Sequence, residues 1–209
     1  MDVFTCLKKL RQVRKFEKKD VDDKLIGVLL YHATQSICAG DCQEWNFIVV
    51  KDKEIKEKLY EAALKQSWIK EAPVVIVVCV DLEKIGLKYG RRGEILYAVE
   101  DASFAALSIA LCAVALGLGT YVVQAFEEDS VKIILQLPDN IRPIFLIALG
   151  YPTKEISERK KERIWFENLT WVDRFGQKYL ISYYIQPGIS MSPRNLEEIL
   201  EDIKKKMKR

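Results

Sequence analysis

Residues 74 to 80 read VVIVVCV, a run with no polar side chain in it. A half-exposed strand alternates apolar and polar residues, so a run that does not alternate has no face for water. Its β-branched side chains lose rotamer freedom in a helix and pack well on a pleated surface. The stretch from Ala72 to Val80 is therefore read as a central strand buried on both faces. The rest of the chain must cover each face.

Much of that cover is visible. Ala102 to Gly119 reads ASFAALSIALCAVALGLG. A membrane-spanning helix needs about 20 predominantly apolar residues; this run, interrupted by two serines and closing on glycines, fits better as a helix over Asp101–Leu116, buried in a globule or a dimer and stopping at Gly117. Phe4, Leu7 and Leu10 recur on a helical period, and Asp20 or Asp22 caps a helix whose shared face is Leu25, Val28, Leu29 and His32. A short strand is expected at Phe47–Val50. Asp52 then caps a helix with Ile55, Leu59, Ala62 or Ala63, and Gln66 inward; a glutamine on an apolar face needs a partner. Strands at Tyr121–Val123 and Ile144–Leu149 flank a short helix ending before Pro138. Asp81 to Ala98, rich in Lys, Arg, Gly and Tyr, reads as an irregular or mobile covering segment. Beyond Tyr151 come a polar arm and a last helix at roughly Asn195–Met207. The fold class is α+β, with one domain over residues 1–176 and a C-terminal extension over 177–209. The apolar stretches of that arm need a surface, which a partner subunit would supply.

Composition narrows the function. The chain has 209 residues, long enough for one sizeable core and short for two. Against 33 Lys and Arg stand 30 Asp and Glu, a balance that suggests neither nucleic acid nor membrane as partner; the basic tail KKKMKR reads as the solvated end of a helix. The opening MDVFTCLKKLRQVRKF is charged too early and too often for a signal peptide. Five cysteines without framework spacing fit a reducing compartment, so a cytoplasmic protein is expected.

The stretch SICAGDCQEWNF (residues 36–47) could be a metal clip, a redox pair, a nucleophile site or a loop that lies against a flat cofactor. The chain has one histidine, His32, which reads as a hydrogen-bonded, semi-buried helix residue. That disfavours His-dependent hydrolases, and no G-x-S-x-G elbow is present. No metal site is expected, since CAGDC lacks a second ligand pair. GLGTY follows a helix and leads into a strand, the reverse of a dinucleotide fingerprint, and YGRRGE alone reads as an exposed turn. With so few acid–base groups, redox chemistry would fall to a cofactor.

Taken in order, the segments resemble the FMN-dependent nitroreductase family over about residues 2 to 175. LRQVRKF is similar to that family's R-R-S-x-R-x-F in Arg11, Arg14 and Phe16. SICAGDCQEWNF resembles A-P-S-A-G-N-x-Q-P-W-x-F in Ala39, Gly40, Gln43, Trp45 and Phe47. EAPVVIVV, the passage DASFAALSIALCAVALGLGTYVVQAF, the run LQLPDNIRPIFLIALGYP and the basic KKER (160–163) follow in family order. The resemblance implies a nitroreductase-like fold: a central mixed sheet flanked by helices, in an intertwined homodimer with long terminal arms.

It also implies FMN as cofactor, NAD(P)H as electron donor, and a small-molecule acceptor such as a nitroaromatic, quinone or enone. No side chain is assigned a catalytic role. Arg11, Gln12 and Arg14 with Lys161 and Arg163 would hold the phosphate, which favours guanidinium partners. Ile37, Cys38, Ala39 and Asp41 would lie on the flavin side, from the partner subunit. Val123, Gln124 and Ala125 would offer backbone near the hydride-accepting nitrogen. Gln66 would reach the ring's polar edge or bond local backbone. Tyr89 and Tyr97 would line the substrate opening or simply pack. Five departures from the family pattern stand out: Leu10 and Gln12 at the usual Arg and Ser, Cys38 at the usual Ser, Asp41 at the usual Asn, and Glu44 at the usual Pro. Asp41 would tune the flavin potential or select a substrate bearing a donor or positive group, and Glu44 would alter only loop stiffness. Rival readings are a flavin-cleaving or dehalogenating branch, a flavin-binding sensor without turnover, and a non-flavin interaction protein.

Overall fold

The computed structural model of the protein describes residues 1–153, 163–178, 197, 198, 200, 201, 204 and 205. They fall into two compact units, 1–157 and 158–209. In the first, helices α1 (Val3–Lys9) and α2 (Asp23–Ala33) precede strand β1 (Trp45–Val50), and α3 (Lys53–Ala62) and the short α4 (Trp68–Glu71) lead into β2 (Val74–Asp81). Then come α5 (Leu82–Arg92), a π-turn at Gly93–Tyr97, α6 (Ala98–Ala115), β3 (Gly119–Val123), α7 (Glu128–Leu135) and β4 (Ile141–Gly150).

The strands form one sheet in the order β1-β2-β4-β3. β2 is central, as its residues dictate. Val74, Ile76, Val78 and Val80 enter a core with residues of α2, α5 and α6, such as Leu29, Ile85 and Ile109. Val75, Val77 and Cys79 enter a second core with Leu59 of α3, Ile69 of α4 and Val131 of α7. Each fully buried Val or Leu stabilises the fold by roughly 1.5–3 kcal/mol, so losing cover on either face would be felt at once. Pro143, which has no N–H for a ladder, sits at the β2–β4 irregularity beside Cys79.

All four strands pair antiparallel. The expected mixed sheet is corrected to that extent: among the described residues the parallel contribution is the single bridge between Gln12 and Thr120, on the outer edge of β3. There Val13 N–H donates to the Thr120 carbonyl at 2.8 Å, and the Gln12 side-chain oxygen accepts from Val122 N–H at 2.8 Å.

Two other expectations need correction. Asp81 to Ala98 is helical rather than irregular: the Asp81 side chain accepts from Lys84 N–H and caps α5. Gly90 breaks the helix at φ 56, ψ −153, a region essentially reserved for glycine. In α2 the buried face is Ile26, Leu29 and Ala33, so Val28 and His32 point outward; His32 is exposed, its Nδ1 2.8 Å from the Val28 carbonyl. Among the described residues, the helical stretch Leu82–Ala115 is long and apolar enough to cross a membrane by length and composition. Its alanine-rich side (Ala98, Ala102, Ala105, Ala106, Ala110, Ala113) is buried, and Phe104 and Leu107 face outward.

In the second unit Phe166–Asn168 forms a single 3₁₀ turn, and Trp171 bridges Lys178 across a tight turn through Gly176. The Trp171 and Phe175 rings stack at 4.4 Å. Of the expected last helix, residues 197, 198, 200, 201, 204 and 205 are helical; the remainder lies outside the described residues.

Candidate functional site

Most of the residues singled out from sequence gather in two groups. The first surrounds the exit of β3. The N-terminal segment is laid along this edge by the Gln12 and Val13 bonds, which carries Arg14 to the rings beneath it. The Arg14 guanidinium lies 5.5 Å from the Trp68 ring centre and 5.7 Å from that of Tyr121, and the two rings stack at 4.1 Å. The Trp68 indole N–H is buried without an acceptor. Gln66 stands just past α3, where Leu64 and Lys65 take positive φ. Its amide donates to the Ala63 carbonyl at 3.0 Å and the Ala125 carbonyl at 2.9 Å. Of the two expectations for Gln66, the structure shows the bond to local backbone, and the same amide also ties down the 123–125 loop. Val123 is buried, whereas Gln124 and Ala125 are exposed.

The second group is the 36–44 loop with the helices around it. Ser36 Oγ lies 2.7 Å from Ser108 Oγ, and Ala39 N–H donates to the Asp101 carboxylate at 2.8 Å, so α6 pins the loop at two places. From the other side, Lys84 Nζ donates to the Gln43 carbonyl at 2.9 Å and Lys88 Nζ to the Gly40 carbonyl. Gly40 takes φ +51, and a Cβ there would stand 2.0 Å from the Tyr89 hydroxyl. The small residues at 39 and 40 therefore let α5 close onto the loop. Tyr89 meets Tyr97 edge-on at 5.2 Å, and Arg92 Nε donates to the Tyr97 hydroxyl at 3.1 Å. Asp41, exposed at φ 57, accepts from the Gln43 amide at 2.7 Å. Ile37 projects outward, 72% exposed.

All five cysteines are free thiols. Burial pushes the Cys38 thiol up, and the neighbouring Asp101, Glu44 and Asp41 carboxyls add to the rise, so it is poorly suited to act as a thiolate. Among the described residues no group of three or more His, Cys, Asp or Glu could hold a metal ion.

Glu44 requires a correction. It does more than alter loop stiffness: it is 1% exposed, beside Asp101 at 2%. Neither Glu44 side-chain oxygen meets a hydrogen-bond donor of the protein. Burial, followed by the adjoining Asp101 carboxyl, pushes the Glu44 carboxyl up to about 7. Asp101, Lys84 and Lys88 were not anticipated as part of this group. Asp101 was hidden at the head of an apolar run, and the lysines lay in a segment read as irregular. An aspartate opening an otherwise apolar helix is the signal that was available.

Arg11 is exposed, and Arg163 is exposed within the second unit; Lys161 lies outside the described residues. A separate groove of about 1330 Å³ runs past Lys18, Lys51, Lys56 and Lys70. Lys56 is buried there with its ammonium on the Ala72 and Pro73 carbonyls, which is a structural use of the charge.

The sequence model of the Nitroreductase family matches residues 7–69 and 62–151. A Methanothermobacter thermautotrophicus protein, whose provisional name pairs NADH dehydrogenase with NAD(P)H nitroreductase, is 36% identical over 165 residues, 76% of this chain and 82% of that protein. An NADH dehydrogenase of Thermus thermophilus is 31% identical over 183 residues, covering 74% of this chain and 89% of its own length. The solved structure of the NfrA1 nitroreductase from B. subtilis superposes with a TM-score of 0.76 at 24% identity, over 83% of this chain and 75% of that one.

Proposed function

The chain belongs to the nitroreductase family, and on that premise we propose that it is an FMN-dependent NAD(P)H oxidoreductase acting as a homodimer. The observation that carries the cofactor reading is the donor set at the exit of β3: a guanidinium, a buried indole N–H without an acceptor, and exposed backbone at Gln124 and Ala125. Such donors suit a phosphate and the acceptor atoms along a flavin's polar edge. Arg11 and Arg14 would bind the phosphate. Gln12 and Gln66 hold the edge of β3 and the Ala125 loop in place. Ile37, Cys38, Ala39 and Asp41 of the partner subunit form the opposing wall, with Tyr89 and Tyr97 at the substrate opening. When bound, FMN supplies hydride acceptance from NAD(P)H and delivery to a nitroaromatic, quinone or enone in a ping-pong cycle.

The dimer is supported by outward apolar side chains on helices that pack on one another: Phe4 and Leu7 of α1, Val28 of α2, Phe104 and Leu107 of α6. Exposed apolar area of this kind calls for a partner. Residues 177–209 would wrap that partner. Asp41 favours a second reading, a specialised branch acting on a ligand with a donor or cationic group. The test is the visible spectrum of desalted protein, alone and with added FMN, before and after anaerobic NADPH or NADH. A bound flavin that bleaches with either nucleotide is expected. Bound flavin that stays oxidised shifts the reading to the specialised branch or a sensor, and failure to bind FMN overturns it.

A further inference from the structure

The chain buries two carboxyl groups against each other beneath the 36–44 loop. Glu44, at the end of that loop, and Asp101, in the first turn of α6, are 1% and 2% exposed. Asp101 has a donor, the Ala39 N–H at 2.8 Å, whereas neither Glu44 oxygen has one. The Asp101 carboxyl adjoins Glu44, and its nearness raises the Glu44 carboxyl further after burial. Two ionised carboxylates are both acceptors and repel; one shared proton turns the same contact into a hydrogen bond. The other charged or titratable groups facing this place are Cys38 and Asp41 from the loop and Lys84 from α5. The first two add no positive charge. The Lys84 ammonium, which donates to the Gln43 carbonyl, is the positive group here; its attraction favours the Glu44 carboxylate but is outweighed by burial and Asp101.

We propose that Glu44 is a positioning residue: as a neutral acid it donates its proton to Asp101, and the pair holds Ala39 and its loop in the place from which they wall the flavin. The flavin clause rests on the function proposed above; the proton-sharing pair does not. Losing that proton leaves two buried negative groups in contact, and the Asp101–Ala39 bond is the link through which the strain reaches the loop. Burial and the Asp101 neighbour set the change near neutral pH, so the loop is held below it and released above it.

The experiment is hydrogen exchange at the Ala39 amide in the full chain without added flavin, slightly acid and slightly alkaline, in wild type and Glu44→Gln. Rates are corrected for intrinsic base catalysis. Gln can still donate to Asp101 and does not titrate. Wild-type protection should fall about tenfold across neutrality, following one ionisation, while the Gln variant keeps its protection at both values. In parallel, FMN affinity from flavin fluorescence quenching should weaken with pH in wild type alone. If Glu44→Gln does not fold, the infrared C=O stretch of a neutral carboxylic acid in wild type serves instead, present below neutrality and lost above it. Equal pH profiles in the two proteins, or no such band, would overturn the proposal. FMN that binds at no pH would overturn the flavin reading and leave the exchange data to decide the pair.

Discussion

Single residues carry the chemistry that distinguishes this chain. Asp41 takes positive φ, a region that Asn also tolerates, so Asp41→Asn should fold unchanged. With Asp41 beside the flavin, as proposed, removing its carboxylate would favour the anionic reduced ring, and the two-electron midpoint potential should rise by about 20–40 mV, the equivalent of roughly 1–2 kcal/mol. Spectroelectrochemistry reads this, and an unchanged potential would remove Asp41 from potential tuning. Arg14→Ala should weaken FMN binding by about 1.5–3 kcal/mol, the usual worth of a charged hydrogen bond, seen by fluorescence titration. The signature of Glu44 is the pH dependence of stability. Its folded carboxyl is raised to about 7 from an ordinary 4.5. Between these values the native protein keeps a proton that the unfolded chain has released. Its stabilisation is therefore complete below 4.5 and lost as pH rises through 7. Urea midpoints at about pH 5 and about pH 8 should differ more in wild type than in Glu44→Gln. The sequence revealed Asp41 and Glu44 as departures from a pattern, yet it could not say which was buried. Burial depends on α6 arriving above the loop, a contact between residues 62 positions apart.

Elements were legible in proportion to how far their own residues dictate their surroundings. β2 was read almost to its ends, because seven consecutive apolar residues permit nothing but a two-faced core. α5 was missed. Leu82, Ile85 and Tyr89 recur on a helical period and pack on the core, but Leu87 is 85% exposed and Gly86 and Gly90 interrupt the run, so the stripe was overlooked. Beyond that packing, α5 is held by its cap on Asp81 and by the bonds of Lys84 and Lys88 to the loop, which periodicity does not reveal. Gly90 tests this view. A Cβ there meets nothing within 4 Å, so Gly90→Ala would cost stability through backbone conformation alone, about 1–3 kcal/mol. At Gly40 the backbone is more tolerant but the space is filled; Gly40→Ala should displace the Tyr89 ring and change its near-ultraviolet signal more than the melting temperature.

At the scale of the molecule, the outward apolar residues of α1, α2 and α6 carry the proposed assembly. Leu107, 45% exposed on α6, is the point to test. Leu107→Glu should shift sedimentation from dimer to monomer and release FMN with it, since each proposed site takes a wall from its partner. The N-terminal segment has a different consequence. Gln12 and Val13 occupy the outer edge of β3 with one bridge, one backbone bond and one side-chain oxygen. Lifted away, they would leave the Thr120 carbonyl and Val122 N–H as a bare template on which other chains could add strands. A protease that removes the segment through Val13 should therefore turn a clear solution turbid long before the core unfolds.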